Sequence, residues 1–179
     1  MELLENLQRL KRQLSRAEFE KKFPHMWLVR ELEEDERPAL FRTMVTSIKK
    51  IEVPPTATPR RAGGAPSPAQ LAAEPGRYGL FPLSKSGSNP WSDRILVGRA
   101  SNNDVVLRND RISKLHAWFQ VSPRGVWRVY DARSANGTRI DGDLVPPGEE
   151  GLEVESGQVV MFGTVATRFL SSGELYDAL

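Results

Sequence analysis

The chain contains no cysteine. Disulfides, thiolate metal sites and a cysteine nucleophile are thereby excluded, and the absence fits a reducing compartment. No stretch approaches the ~18 consecutive apolar residues of a membrane span. The first 20 residues set Glu2, Glu5, Arg9, Lys11 and Arg12 among the leucines, which leaves no unbroken apolar core of a secretory signal. The expected location is the cytoplasm, with no membrane partner. Histidine is scarce, and His25 and His116 fall in different segments. There is also no phosphate-binding P-loop and no Gly-x-Ser-x-Gly nucleophile elbow. Asp141 and Asp143 flank Gly142 and read as turn residues rather than a catalytic pair. The expectation is a protein that is not an enzyme and holds no cofactor or metal.

Charge of one sign is also lacking. Across 179 residues, 25 Lys+Arg face 23 Asp+Glu. Residues 1–90 carry 15 basic against 11 acidic side chains, and residues 91–179 carry 10 against 12. A mildly acidic C-terminal half does not wrap nucleic acid by bulk charge. The excess of 11 over 9 in residues 1–50 is too small to recommend nucleic acid there either. Within the acidic half, however, Arg94, Arg99, Arg108, Arg111, Lys114, Arg133 and Arg139 gather in or beside predicted loops. Local positive charge on such a body suits one small anionic ligand.

Three segments differ in texture. Residues 1–52 are rich in Leu, Glu, Lys and Arg and read as mainly helical. Leu3, Leu7, Leu10 and Leu14 follow 4-3-4 spacing, a two-heptad seam for intramolecular packing or a weak dimer contact. Ser15 and Glu18 match a capping box. Pro38 stands where a first helical residue would, ahead of a 3.6-period stripe from Leu40 to Ile48. The apolar run from Met26 to Val29 is compatible with strand or helix. Residues 53–76 hold six prolines with Gly63 and Gly64, a composition that favours extended chain over a packed core and predicts a linker.

From Arg77 onward the chain reads as β. Strands are predicted at 78–83, 94–97, 104–107, 116–121, 126–130, 138–140, 159–162 and 166–170, with closely spaced turns between them, the signature of a sandwich or barrel. Residues 174–179 predict a terminal helical turn.

Four short pieces punctuate these strands: Gly98-Arg99, Ser113-Lys114-Leu115-His116, Asn136-Gly137-Thr138 and Val160-Met161-Phe162-Gly163. Singly, each is bland. A Gly-Arg pair is any strand end, a lone histidine is more often structural than a ligand, and Asn-Gly is the commonest hairpin turn. Their joint order and spacing are not: Arg99 precedes Ser113 by 14 residues, and Ser113 precedes His116 by 3 and Asn136 by 23. With this set the C-terminal half resembles the forkhead-associated (FHA) domain, a phosphothreonine-binding β-sandwich.

The resemblance implies an all-β sandwich of two antiparallel sheets over residues 77–173. Before it lie the helical extension (1–52) and the linker (53–76), and after it a short tail (174–179). It also assigns roles. Phosphothreonine carries about −1.5 to −2 charges and three acceptor oxygens. Arg99 supplies a planar fork for two of them, Ser113 a hydroxyl donor and Lys114 a more flexible charge. Asn136 both donates and accepts, and would hold the extended ligand by its main chain. Arg111 stands where several such domains select the third residue after the phosphothreonine, and an arginine there points to an acidic or polar one. Gly98, His116 and Gly137 shape the site. Two positions depart from the common pattern: Lys114 replaces an arginine and loses its bidentate fork, and Ala135 stands where a serine or threonine is frequent.

The expected function is an adaptor that binds a phosphothreonine-containing protein downstream of a Ser/Thr kinase. Two alternatives keep the fold. One is a phosphate-independent scaffold module. The other is a regulator that captures its own linker through Thr56 or Thr58. Abundant Ala, Arg, Pro and Gly suit a GC-rich bacterial genome.

Overall fold

The computed structural model describes residues 2–33, 36, 64–87 and 89–179. The stripe at 40–48, Pro38, Thr56 and Thr58 lie outside the described residues. The chain opens with β1 (Glu2–Leu3), α1 (Leu4–Lys11) and α2 (Arg16–Lys22), followed by β2 (Trp27–Glu31). After the undescribed stretch come α3 (Pro68–Ala73), a 3-10 turn (Pro75–Arg77) and β3 (Tyr78–Pro82). Next are β4 (Ile95–Gly98), β5 (Val105–Val106), β6 (Ala117–Val121), β7 (Trp127–Asp131) and β8 (Thr138–Ile140). The last elements are β9 (Asp143–Leu144), β10 (Leu152–Glu153), β11 (Val159–Phe162), β12 (Val165–Leu170) and α4 (Ser172–Ala178).

The strands form two sheets, one of seven in the order β1-β3-β2-β12-β11-β8-β9 and one of five in the order β10-β7-β6-β4-β5. Every pairing is antiparallel except β4 with β5. The sandwich read from the sequence is therefore present. Its inner core gathers Val97, Ala117, Phe119 and Val129 from the five-stranded sheet. Facing them are Leu28, Phe81, Ile140, Val160, Phe162 and Phe169 from the seven-stranded one. Phe119 and Phe169 stack across the gap with centroids 5.7 Å apart.

The run at Met26–Val29 resolves as β2, and the reason it was ambiguous is visible. Side chains alternate faces along a strand, so Leu28 enters the inner core while Trp27 and Val29 point the other way. There they join a second core with Leu7, Phe19, Leu71, Tyr78, Leu80, Leu170 and Leu175. Both faces of β2 are covered, so its sequence shows no polar alternation. The result is three layers: five strands, seven strands, then the helices.

This layering bears on the segment boundaries. β2 lies between β3 and β12, with Val29 opposite Leu80 on one side and Arg168 on the other, so residues 27–31 belong to the sheet rather than to an extension beside it. Leu7 is fully buried, and Leu10 and Leu14 pack against the same cluster. The seam is thus used within the chain. Ser15 and Glu18 do form the capping box, Ser15 N–H donating to the Glu18 carboxylate at 2.8 Å.

The linker reading needs correction over its last third. Ser67 and Gln70 form a second capping box, Pro68 occupies the first helical turn, and Leu71 of α3 is fully buried. One well-placed leucine on a capped turn was enough to dock a stretch whose composition reads as extended. The tail is likewise packed, with Leu175 and Ala178 of α4 in the second core. Ser172 ties α4 to β2 by accepting from the Trp27 indole N–H at 2.8 Å.

Candidate functional site

The β4–β5, β5–β6, β7–β8 and β11–β12 loops are hydrogen-bonded together at one end of the sandwich, and they carry Arg99, Arg111, Ser113, Lys114, His116, Asn136 and Gly137. Gly98 is buried where β4 ends. A Cβ placed there would lie 2.3 Å from the Lys114 carbonyl oxygen and 2.9 Å from the Asn103 amide nitrogen. Only the missing side chain lets the 107–116 loop lie against β4. The contact is then stitched by Arg99 N–H to Ser113 O at 3.0 Å and Ala100 N–H to Lys114 O at 3.2 Å.

Asn103, buried and not anticipated from sequence, reinforces this. Its amide donates to the carbonyls of Ala100 at 2.8 Å and Lys114 at 2.7 Å. Asp104 anchors the same loop at its far end, accepting from Leu96 N–H at 2.8 Å.

His116 is fully buried and links two loops. Its Nδ1 accepts from Ser113 N–H at 3.0 Å, which leaves the proton on Nε2 facing the Gly137 carbonyl at 3.1 Å. The ring stands edge-on to Phe162. Burial pushes the imidazole below its ordinary pKa of 6.5, opposed by the Gly137 carbonyl and the charge of Asp131.

The sign of the pH effect follows. Below pH about 6.5 an unfolded chain takes up this proton more readily than the folded one, so stability is full above that range and falls as pH drops through it. The melting temperature of the wild type is expected to decline between pH 6.5 and 5 more steeply than that of His116→Gln. Parallel curves would refute the assignment.

The 132–137 loop is shaped by Asp131, a second residue that sequence did not flag. Its buried carboxylate accepts from Ser134 N–H at 2.8 Å, Ser134 Oγ at 2.7 Å and Thr138 Oγ1 at 2.7 Å. Ser134 Oγ in turn accepts from Gly137 N–H at 2.9 Å. Arg133 and Gly137 take positive φ values of 58° and 73° within this turn.

So fixed, the loop brings Ala135 N–H to 3.0 Å from Ser113 Oγ. The serine hydroxyl accepts there, which leaves its own proton to donate. Asn136 donates to the Arg111 carbonyl at 2.8 Å. Gly163, part of the fourth sequence piece, completes the wall. A Cβ on it would lie 2.8 Å from Arg111 O and 3.0 Å from Asn136 Cβ.

Arg99, Ser113, Lys114, Asn136 and Arg111 therefore sit on three loops stitched together by hydrogen bonds. Arg99, Arg111, Lys114 and Asn136 are exposed, and Ser113 is half-buried. Among the described residues, no carboxylate lies within ion-pair distance of Arg99, Arg108, Arg111 or Lys114. The rim offers unpaired cations, a donor hydroxyl and an amide, the chemistry of an oxyanion site.

Residues 95–163 match the model of the FHA domain family. An ABC transporter ATP-binding/permease protein of Mycobacterium tuberculosis is 32% identical over 118 residues, which span 65% of this chain and 13% of that protein. Two solved structures also overlay. One is Mycobacterium tuberculosis EmbR in complex with a low affinity phosphopeptide (TM-score 0.42, 21% identity, covering 54% of this chain and 22% of that one). The other is the N-terminal FHA domain of Saccharomyces cerevisiae Rad53p in complex with a phosphothreonine peptide (TM-score 0.44, 20% identity, 56% and 90%). This chain thus spans about an eighth of the length of that curated relative. The family match covers the four loops and the strands between them, and the chain carries an FHA domain over residues 95–163.

Proposed function

We propose that the loop end of the sandwich binds phosphothreonine in an extended peptide, and that the protein acts as an adaptor that recruits a partner phosphorylated by a Ser/Thr kinase. The observation that carries this reading is the state of Ser113. Its backbone carbonyl accepts from Arg99 N–H while its hydroxyl accepts from Ala135 N–H, so the hydroxyl that keeps a free proton is stitched by main chain to the residue that carries the exposed guanidinium. A phosphate there meets a fork, a hydroxyl and the charge of Lys114 together. Asn136, anchored through one amide proton, keeps its carbonyl oxygen and second proton for the peptide main chain.

The departure at Ala135 weighs less than its lost hydroxyl suggests, because the residue orients Ser113 through its backbone. Lys114 keeps charge without a fork, which lowers affinity rather than abolishing it.

Titration of the full chain with a phosphothreonine peptide, its unphosphorylated twin and the phosphoserine form tests the reading. Saturable binding of the first and none of the second is expected. Equal binding of phosphorylated and unphosphorylated forms would favour a phosphate-independent scaffold module, and the proposal would be withdrawn.

A further inference from the structure

The hairpin that follows Asn136 adds a feature no phosphate contact requires. β8 and β9 pair Arg139 with Leu144 and Ile140 with Asp143, joined through left-handed residues Asp141 and Gly142 at φ 49° and 103°. Ile140 faces the inner core, so Arg139 and Leu144 share the outward face. Arg139 turns its guanidinium to the Gly142 carbonyl at 3.1 Å, toward the tip of the hairpin. Leu144 lies the other way. Its Cδ1 is 3.2 Å from where a Cβ on Gly137 would stand, so the absence of that atom seats the leucine over the backbone beside Asn136. It remains 53% exposed. Asn136 bonds the Arg111 main chain, and its neighbour Gly137 lies against an isobutyl group that is itself half exposed.

We infer that Leu144 determines ligand specificity: it forms an apolar shelf that receives an apolar side chain of the phosphothreonine peptide, one residue among those flanking the phosphothreonine. The inference rests on the phosphothreonine reading of the site. Continuity carries it, since a peptide whose main chain hangs on the Asn136 amide passes Gly137, and the next surface on that side is Leu144. The remaining exposed half of the leucine is what a ligand side chain would cover. An apolar contact of that size is worth about 5- to 10-fold in affinity.

The test uses the full chain and alanine-spaced phosphothreonine peptides that carry Leu, Ser or Lys at one flanking position at a time, read by fluorescence anisotropy. The wild type is expected to prefer Leu at one position by about 5- to 10-fold. Leu144→Ser should lose that preference while still separating phosphorylated from unphosphorylated peptide, and Leu144→Met should restore it. A Leu144→Ser protein with the preference intact, or a wild type with none, overturns the inference alone. A wild type that binds none of the phosphopeptides overturns the phosphothreonine reading, and the shelf with it. Leu144 lies on an exposed edge strand, so the variants are expected to melt with the wild type.

Discussion

Removal of residues 1–33 is expected to abolish folding of the FHA domain, although none of those residues lies in the matched segment 95–163. The deletion takes out β2 from between β3 and β12 and strips α1 and α2 from the outer face of the seven-stranded sheet. Five backbone pairings to β3 and three to β12 go with it. Leu80, Tyr78, Leu170 and Leu175, all buried, would face water, and two strands would present unpaired edges.

A milder version of the same experiment gives a magnitude. Trp27 is 1% exposed and its indole N–H is held by Ser172. Trp27→Ala is expected to cost about 3–5 kcal/mol, a large share of the ~5–15 kcal/mol that domains of this size possess. Denaturant unfolding of the point variant, and circular dichroism of residues 34–179 alone, measure the two effects. A cooperatively unfolding fragment would show that the sheet closes without its N-terminal strand.

The second large effect concerns binding alone. Arg99→Ala is expected to weaken phosphothreonine peptide affinity by roughly 30- to 4,000-fold, the range set by ~2–5 kcal/mol for truncating one partner of a charged hydrogen-bonded contact. Stability should be unaffected. The Arg99 side chain is exposed, and what the residue contributes to the fold is its backbone N–H to Ser113, which alanine retains. Arg99→Lys should fall between, keeping charge and losing the two-pronged geometry. Isothermal titration of the three proteins against one phosphopeptide decides it. Unchanged affinity in the alanine variant would remove phosphate recognition from this rim.

Much of the β half could be read directly. β8 and β11 match the sequence reading to the residue, and β3, β4, β6, β7 and β12 to within a residue at either end. Their short runs lie between turn residues that punctuate them sharply. The two-residue strands β1, β9 and β10 escaped notice because two residues display no period, whereas two-residue β5 was marked by the longer apolar run at 104–107. β2 was ambiguous for a different reason, being apolar on both faces. α3 was missed because its alanines and prolines resemble those of the linker before it, and the burial of Leu71 depends on a sheet face built from residues far along the chain.

The site divides similarly. The residues proposed to meet a ligand recur in a fixed order and were legible. The residues that hold them in place were not. Asn103 and Asp131 act by bonding backbone groups of neighbouring loops, and nothing in an isolated Asn or Asp foretells which carbonyl or amide it will meet. Gly163 carried the one available signal, its place at the end of the fourth recurring piece.

By itself, then, the sequence determined the chemistry on offer and the alternation that makes a sandwich, because residue type and a period of two are local properties. The tertiary structure alone decided that an N-terminal strand sits mid-sheet, that helices cover the outer face, and that Leu144 rests uncovered beside Asn136. Each of these depends on which distant surface is left to be buried, and that is settled only when the whole chain packs.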